Sequence, residues 1–256
     1  MSPRIQPERV SGAAPAGASQ DERAAATAVR TMFSSIAPRY DLLNHLLSFN
    51  VDRLWWRRAA RTFAHILVRS DARVLDLCCG TGDMAFALLR RARGRGGKPV
   101  LYGVDFAHPM LVLATAKSRG RGIRWVEADA LNLPFAEGRF HLVTSAFGFR
   151  NLANYDAGLQ EIYRVLTPGG ELGILDFGEP QGTLGKMYRI YFRRVLPAIG
   201  TLISGVRGPY AYLPASVQRF PPPDEMLERM RAAGFRNVSW IPYTLGIAGL
   251  YRGTKA

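Results

Sequence analysis

Residues 74–83, VLDLCCGTGD, decide the fold, because an apolar strand here runs directly into a glycine turn. From Gly80 the chain reads GTGDMA, which fits the pattern G-x-G-x-x-G/A between a strand and a helix. Asp105 follows roughly twenty residues later, at the end of the next apolar run. The combination predicts a βαβ unit whose turn, with Gly80 and Gly82, approaches a nucleotide-containing cofactor.

The same stretch holds the chain's only two cysteines, Cys78 and Cys79. Adjacent cysteines within a strand-to-turn segment do not reach the geometry of an ordinary disulfide. No His/Cys/Asp cluster in the sequence has the spacing of zinc ligands. We therefore interpret both sulfurs as incidental to function and expect a reducing compartment, the cytoplasm.

Short apolar runs alternate with helical segments along most of the chain. This alternation predicts an α/β fold, a parallel sheet with helices on both faces that binds ligands at the carboxyl ends of its strands. The predicted strands cover residues 73–77, 100–106, 123–129, 140–147, 171–177, 238–245 and 246–254.

Residues 29–256 are predicted to form a single domain. Residues 1–28 mix Pro, Gly, Ser and Ala with charges, as is typical of a flexible tail. Residues 29–68 carry apolar side chains at helical spacing, with breaks expected near Pro38 and Asn50, and form a helical lid. Residues 178–223 interrupt the rhythm with an aromatic and basic insertion, where we expect substrate specificity.

Carboxylates around the turn bear on the choice of cofactor. Asp76 lies at the end of the first strand and Asp83 closes the turn, while residues 74–83 contain no Lys or Arg. Two negative charges there would repel the pyrophosphate of a dinucleotide. They would attract the sulfonium and ammonium groups of S-adenosylmethionine, which has no phosphate.

Two further strand ends carry acidic residues. Asp105 suits the two ribose hydroxyls of either cofactor, because one carboxylate accepts two hydrogen bonds. Asp129 and the Ala130 backbone follow the third strand, where they would meet an adenine edge. Any one of these residues also suits a turn or a helix cap, but their recurrence at successive strand ends favours S-adenosylmethionine.

The charge balance points to a polyanionic partner or an anionic membrane surface. The chain has 34 Lys and Arg against 20 Asp and Glu, a formal net charge of +14. It has neither an apolar stretch long enough to span a bilayer nor a signal-peptide core. We therefore expect any membrane contact to be peripheral.

The motifs resemble those of the class I S-adenosylmethionine-dependent methyltransferases, and within them the ubiquinone/menaquinone biosynthesis C-methyltransferases. The resemblance covers residues 32–256 and implies a mostly parallel, seven-stranded Rossmann-like sheet. It also implies methylation of a ring carbon of a polyprenylated hydroquinone, demethylmenaquinol or, alternatively, 2-methoxy-6-polyprenyl-1,4-benzoquinol. The broad match is carried by VLDLCCGTGD, GVDFAHPML, EADALNLPF and VLTPGGELGILDF, and the narrow match by MFSSIAPRYDLLNHLLSFNVDRLWWRR, SAFGFRNL, GPYAYLPASVQRFPPPDEMLERMRAAGF and GIAGLYRGTKA.

The resemblance also implies site residues. The cofactor contacts would be Thr81, Asp105, Asp129, Ala130 and Ala146. The chain departs from the family pattern at Cys78 and Cys79, where a small glycine or alanine pair is common, at His141, where Asp is common, and at Ala146, where Ser is common. Without that serine, the contact at Ala146 would be through the backbone.

Methylation of carbon requires an electron-rich ring, which a hydroquinone becomes when a phenol loses its proton. Arg150 and Asn151 follow the fourth strand, and we expect Arg150 to face the substrate pocket and stabilise the phenolate or polarise a water that removes the proton. A structural salt bridge is the alternative for Arg150. Asp176, at the end of the fifth strand, would orient the substrate hydroxyl or cap the next helix.

The predicted lid carries a polar face that would close over the site. Its members are Tyr40, Asp41, Asn44 and His45. His45 suits a general base by its ordinary pKa, or it is structural.

Within the insertion, LGKMYRIYFRRVLPAIGTLI combines apolar residues with Lys186, Arg189, Arg193 and Arg194, which suits a helix at a bilayer interface or core packing. An interfacial helix would place the enzyme at the inner face of the cell membrane. Tyr210, Tyr212 and Arg219 either line the quinol entrance or form aromatic packing.

Other functions compete with this one. A nucleic-acid methyltransferase would show an aromatic-flanked catalytic tetrad or an RNA-binding module, and the sequence has neither, so we expect no nucleic-acid partner. Another small-molecule methyltransferase, or an inert scaffold of a quinone-synthesis complex, stays open. Intact Asp76, Gly80, Gly82 and Asp105 favour an enzyme, and both a homodimer and a quinone-biosynthesis complex remain open as assemblies.

Overall fold

The computed structural model of the chain describes residues 22–47, 51–178, 180 and 209–256. The predictions for residues 1–21 and for the interfacial helix of the insertion lie outside these ranges. The described helices are α1 (Glu22–Leu47), α2 (Val51–Thr62), α3 (Ala64–Leu67), α4 (Asp83–Arg93), α5 (His108–Ser118), α6 (Tyr155–Val165), α7 (Pro209–Arg219) and α8 (Pro223–Ala232). The strands are β1 (Arg73–Leu77), β2 (Val100–Asp105), β3 (Arg124–Glu127), β4 (Phe140–Ala146), β5 (Leu166–Phe177), β6 (Phe235–Tyr243) and β7 (Ala248–Lys255).

One seven-stranded sheet organises the chain, with strand order β3-β2-β1-β4-β5-β7-β6. The pairs among β1 to β5 are parallel, whereas β7 runs antiparallel to both β5 and β6. The predicted α/β, mostly parallel, Rossmann-like sheet is confirmed.

Helices cover both faces of the sheet, as the buried strands require. Alternate strand residues point to opposite sides, so that Val143 packs with α6 and α8 while Leu142 packs with α2, α3 and α4. Within the described residues, no helix combines the length and apolar character needed to cross a bilayer.

Strand order also determines where a ligand can bind. The chain proceeds outward from β1 to β2 and β3 on one side, and β4 and β5 lie on the other side of β1. Connections leaving β1 and β4 therefore diverge at the carboxyl edge and leave a crevice there.

Two predicted boundaries at the N-terminal end are wrong. Helix α1 begins at Glu22, inside the predicted tail, because Ala25 and Val29 are buried. The same helix continues through Pro38, where we expected a break. Proline removes one backbone hydrogen bond, and the packing of α1 against α5 maintains the helix around it.

The start of β5 also differs from the prediction, which placed a turn at TPGG and began the strand at residue 171. The strand begins at Leu166, which pairs with Phe140, and the register shifts before Leu142 pairs with Glu171. The intervening residues of β5 thus form an irregular bulge within the strand rather than a separate turn.

Candidate active site

A cleft opens at the carboxyl ends of β1, β2 and β4, with about 710 Å³ of empty space including its mouth. The described residues that line it are Ala26, Phe33, Leu77, Cys78, Gly80, Val104, Asp105, Phe106, Met110, Ala128, Asp129, Ala130, Leu131, Phe147, Gly148, Asn151, Leu152 and Ala153.

The glycine turn forms the floor of the cleft and is tightly wound. Gly82 has φ +90°, and a Cβ there would lie 2.5 Å from the Trp125 ring, so only glycine fits without rearrangement. The turn is closed by a hydrogen bond from Gly82 N to Cys79 O of 2.8 Å. A bond from Cys79 N to Val104 O of 2.9 Å joins it to β2.

Asp105 connects the turn to the end of β2. Its Oδ2 accepts from Gly80 N at 2.8 Å and its Oδ1 accepts from Ala107 N at 2.9 Å. Burial raises the pKa of Asp105, and these backbone hydrogen bonds oppose the rise. Each carboxylate oxygen keeps a further lone pair, and because Asp105 lines the cleft it fits a pair of ligand hydroxyls.

Asp76 is fully buried beneath the turn. Thr144 Oγ1 donates to its Oδ1 at 3.0 Å, but no group among the described residues donates to its Oδ2. Burial raises the pKa of Asp76 to about 7, and the charges of Asp105 and Asp83 add to the rise. Asp76 is not among the described residues that line the cleft, so its Oδ2 is a buried acceptor behind the turn.

The expectation of two uncompensated negative charges at the turn is wrong. Asp83 pairs with Lys117 of α5, whose Nζ lies 3.0 Å from Asp83 Oδ1 and 3.0 Å from Thr81 Oγ1. Asp76 does not carry a full negative charge near neutral pH, because burial raises its pKa to about 7. The cation comes from a helix distant in sequence, so residues 74–83 alone gave no sign of it.

Thr81 is therefore held by Lys117 and is itself buried, with 2% of its surface exposed. It is not among the cleft-lining residues, unlike its neighbour Gly80. Thr81 supports the turn from behind in this structure.

Asp129 and Ala130 lie where the sequence placed them, in the wall after β3. Asp129 Oδ1 accepts from Leu131 N at 2.9 Å, which fixes this loop. Sequence reasoning missed Phe106 and Leu131, which share the same wall. Their positions in the sequence could have indicated them, because Phe106 directly follows Asp105 and Leu131 directly follows Ala130.

The contact predicted at Ala146 is displaced along the chain. Ala146 is not among the described lining residues, whereas Phe147 and Gly148 are. A Cβ on Gly148 would lie 2.4 Å from Cys78 Cβ, so this glycine lets the β4 loop approach the turn.

Arg150 does not point into this cleft, contrary to the prediction. Its guanidinium is buried and pairs with Asp176, at 3.0 Å between Nη1 and Oδ1. It also donates to Phe147 O and, at 3.4 Å, to Ser216 Oγ of α7. The salt-bridge alternative for Arg150 matches this arrangement.

Asp176 pairs with Arg150, whereas the predicted roles were to orient the substrate hydroxyl or to cap the next helix. The carboxylate is fully buried and accepts from Arg150 N at 3.2 Å and Phe177 N at 2.9 Å. Burial raises its pKa, while the charge of Arg150 opposes the rise. Together Arg150 and Asp176 link the end of β5 to the loop after β4.

Asn151 is the polar side chain that this loop presents to the cleft. Tyr212 of α7 donates its hydroxyl to Asn151 Oδ1 at 3.0 Å, and Tyr212 is 9% exposed. Because Oδ1 is engaged, the amide Nδ2 remains as a donor. The packing alternative for Tyr212 thus includes one specific hydrogen bond, while the Tyr210 side chain lies outside the described part.

Helix α1 forms one wall of the cleft, as the predicted lid requires, through Ala26 and Phe33. Arg30 pairs with Glu127 at the end of β3, and Asn154 donates to Glu22 at 2.9 Å. Sequence reasoning missed these contacts because Ala26 was placed in the tail.

The polar lid residues Tyr40, Asp41, Asn44 and His45 belong to the last turns of α1. Their side chains lie outside the part of the chain that the structure describes. Their predicted roles stay predictions.

Comparison with known proteins places the chain in a family. The family model described as the ubiE/COQ5 methyltransferase family matches residues 19–255. The chain belongs to the ubiE/COQ5 methyltransferase family.

Relatives agree over nearly the whole chain. It is 52% identical to a demethylmenaquinone methyltransferase of Thermus thermophilus over 88% of this chain and 100% of the relative. The chain is 49% identical to a demethylmenaquinone methyltransferase of Deinococcus radiodurans, over 94% of this chain and 97% of the relative. A SAM-dependent methyltransferase structure from Thermotoga maritima superposes with a TM-score of 0.61 at 20% identity, covering 89% of this chain and 100% of that one, and shows the shared fold.

This ubiE/COQ5 family member is an S-adenosylmethionine-dependent methyltransferase. The residues fit that cofactor, since Asp105 has free lone pairs at the cleft, and Gly80 and Asp129 line the same cleft. When bound, S-adenosylmethionine supplies an electrophilic methyl group.

The cysteines of this methyltransferase are free thiols. Burial raises the pKa of both well above the ordinary value, and the charges of Asp105 and Asp76 add to the rise. Neither thiol is therefore a thiolate near neutral pH. Among the described residues, no group of three His, Cys, Asp or Glu side chains could hold a metal ion.

Proposed function

We propose that this methyltransferase methylates a ring carbon of demethylmenaquinol to give menaquinol. Asn151 carries the proposal, because it presents a fixed amide donor inside an otherwise largely apolar cleft. That arrangement fits one of the two hydroxyl oxygens of a hydroquinone ring. The two relatives at 52% and 49% identity bear the name demethylmenaquinone methyltransferase, which supports the same substrate.

In this proposal, residues at successive strand ends each contact a different part of the cofactor. Asp105 accepts hydrogen bonds from both ribose hydroxyls, and Asp129 with Ala130 meets the adenine edge. Gly80 lets the backbone approach the methionine part, and Asp76 lies on the side of the ammonium group. A cation near Asp76 favours its ionised form, which lowers its pKa from about 7.

At the substrate end, Asn151 Nδ2 donates to the quinol oxygen as it becomes a phenolate, while Tyr212 keeps the amide oriented. Phe147 and Leu152 contact the ring and exclude water. Alignment of two reactants in such a site contributes several kcal/mol toward the barrier. His45 is one of the predicted candidates for the group that accepts the proton of the quinol hydroxyl.

Arg150 and Asp176 act in this proposal as positioning residues. Their buried pair fixes the loop that carries Phe147 and Asn151. The phenolate receives its hydrogen bond from Asn151, and the nearby guanidinium contributes only a longer-range positive charge.

A second substrate has its own support. The relative from Geobacter sulfurreducens, 44% identical over 89% of this chain, is named ubiquinone/menaquinone biosynthesis C-methyltransferase. Methylation of 2-methoxy-6-polyprenyl-1,4-benzoquinol is therefore the second candidate.

The deciding experiment incubates the pure protein with methyl-labelled S-adenosylmethionine and each chemically reduced quinol, and identifies products by mass spectrometry. We expect label on the ring carbon of menaquinol and slower transfer to the benzoquinol. Cofactor binding without transfer to either quinol would instead support the scaffold alternative. Transfer to an RNA or DNA substrate alone would overturn the proposal.

A further inference from the structure

The exposed face of α2 consists of four arginines around one leucine. Arg53, Arg57, Arg58 and Arg61 are exposed, and Leu54 among them is 57% exposed. In a helix, residues three, four and seven positions apart share a face, so Leu54 lies between Arg57, Arg58 and Arg61. The opposite face, with Trp55, Trp56, Ala59 and Ala60, is buried in the core.

This cationic face is not explained by helix stability. Arg53 and Arg57, and Arg57 and Arg61, are like charges four residues apart, which destabilise a helix. Among the described residues, no carboxylate pairs with the side chains of Arg53, Arg57 and Arg61. Arg58 lies over the Tyr243 ring at 4.4 Å from its centroid.

The positive surface extends from α2 onto the neighbouring helix α4. Burial lowers the pKa of Arg90, Asp83 opposes this, and the positive charges of Arg121, Arg57 and Arg53 lower it further. These arginines are thus close enough to repel one another. A polyanionic surface would relieve that repulsion.

We propose that this α2 surface, centred on Leu54, docks the enzyme on an anionic lipid bilayer. The proposal commits to lipid because the exposed apolar side chains are aliphatic. Besides Leu54, Leu245 is 74% exposed, on a turn held to α2 by a 2.8 Å hydrogen bond from Trp55 Nε1 to Thr244 Oγ1. Leucines entering the headgroup region with arginines on anionic headgroups match an interfacial helix.

A nucleic acid fits the same face less well. Single-stranded nucleic acids bind proteins through bases stacked on aromatic side chains as well as through cations. The aromatic residues of α2, Trp55 and Trp56, are 4% and 8% exposed, so α2 offers no stacking platform.

The position of α2 also suits a substrate with a lipid tail, a step that rests on the proposed function. The Trp55 ring lies 5.8 Å from the ring of Phe147, which lines the cleft. Docking through α2 would therefore place the bilayer one helix away from Phe147, which lines the cleft. A polyprenylated quinol would reach the cleft without fully leaving the membrane.

Vesicle binding tests the surface with charge-matched variants. R53Q/R57Q removes two charges from α2, and R231Q/R236Q removes two exposed charges from α8 and β6, which are not part of the α2 surface. Each protein is sedimented with vesicles of phosphatidylcholine, alone or with three-tenths phosphatidylglycerol. Because each basic residue at an anionic surface contributes to binding, R53Q/R57Q should weaken binding to the anionic vesicles about tenfold or more.

The control R231Q/R236Q should stay within about threefold of wild type, and L54S should weaken binding even at the salt concentration that screens charge. Equal losses in both double variants would overturn the proposal in favour of diffuse charge. Unchanged vesicle binding by R53Q/R57Q, or loss only of binding to an oligonucleotide, would overturn it as well. Far-ultraviolet circular dichroism checks that all variants fold.

A separate assay distinguishes this proposal from the proposed function. Methyl transfer to a water-soluble, short-chain quinol without vesicles should be equal in wild type and R53Q/R57Q. Failure of the wild type in that assay would overturn the proposed function. The vesicle measurements would still decide the α2 surface.

Discussion

Asp76 is a buried carboxyl that carries a stability penalty and that we propose to lie near the cofactor. Its folded pKa, about 7, lies above the ordinary value of 3.8. The folded protein therefore holds this proton where the unfolded chain has lost it. Stability from this group is fully present below about pH 4 and is lost as the pH rises to about 7.

We predict that Asp76→Asn stabilises the cofactor-free protein and weakens S-adenosylmethionine binding. Asparagine stays neutral and keeps an oxygen for Thr144, so the gain should be up to about 4 kcal/mol at pH 8 and about 2 kcal/mol at pH 5. Urea unfolding at both pH values measures it, and calorimetry measures affinity. A gain independent of pH would contradict the assignment of this pKa.

The two cysteines are predicted to be dispensable. Replacing Cys78 by Gly and Cys79 by Ala should leave turnover within about twofold, because neither thiol is ionised. Cys78 has φ +52°, a left-handed conformation that glycine adopts without strain. Steady-state kinetics and cofactor binding check this, and lost turnover with intact cofactor binding would mean that a sulfur takes part.

At this scale the sequence predicted residues whose partners are local and missed those whose partners are distant. Asp105 follows from its place at a strand end after a glycine turn. The Lys117 pair with Asp83 and the Arg150 pair with Asp176 join positions 34 and 26 residues apart. Such pairings depend on how helices pack, which spacing along one segment does not encode.

Among the elements, α1 changes the picture of the cleft most, because one of its faces forms a wall. Phe33 lines the cleft and packs with Met110 of α5, whereas Arg30 pairs with Glu127 on the surface. An exposed ion pair contributes at most about 1 kcal/mol. The apolar contacts of Phe33 should therefore contribute more to cofactor binding than the Arg30–Glu127 ion pair.

We predict that Phe33→Ala weakens S-adenosylmethionine binding about tenfold, because it removes part of an apolar wall worth about 1.5–3 kcal/mol when fully buried. The matched change Arg30→Gln should stay within about twofold. Titration calorimetry on both variants tests this. A larger loss of affinity in Arg30→Gln would show that the Arg30–Glu127 ion pair, rather than the apolar contacts of Phe33, holds α1 over the cleft.

Strand and helix types were predictable because the buried parallel strands are apolar runs between turn signals. Boundaries failed where tertiary packing overrode a local signal. Burial of Ala25 and Val29 extends α1 into the alanine-rich segment, and the pairing of Leu166 with Phe140 draws TPGG into β5. Neither partner is visible in the local sequence.

Across the whole molecule, one buried ion pair joins the sheet, the β4 loop and α7. Arg150 contacts Asp176 of β5, Phe147 O and Ser216 Oγ, and it is 5% exposed. Breaking a buried pair by removing one partner typically costs about 3–5 kcal/mol, because the other charge is left buried. The pair is thus expected to support global stability as well as the position of Asn151.

We predict that Arg150→Met and Asp176→Asn each lower the melting temperature by about 10 °C, since about 1 kcal/mol corresponds to 2–4 °C in a protein of this size. The double variant should be less destabilised than the sum, because no unpaired charge remains. In Arg150→Met the loss should grow with pH, because burial already raises the pKa of Asp176 and the lone carboxylate must ionise. Calorimetry at several pH values measures all three variants.

Activity separates positioning from direct catalysis by Arg150. If Arg150 acts through the loop, Arg150→Lys should lower kcat in step with its loss of stability and leave the pH profile of kcat unchanged. A direct role at the phenolate would instead shift that profile, because the guanidinium charge stabilises the ionised quinol. A shifted profile in a fully stable Arg150→Lys protein would therefore return Arg150 to the reacting atoms and displace Asn151 from its proposed role.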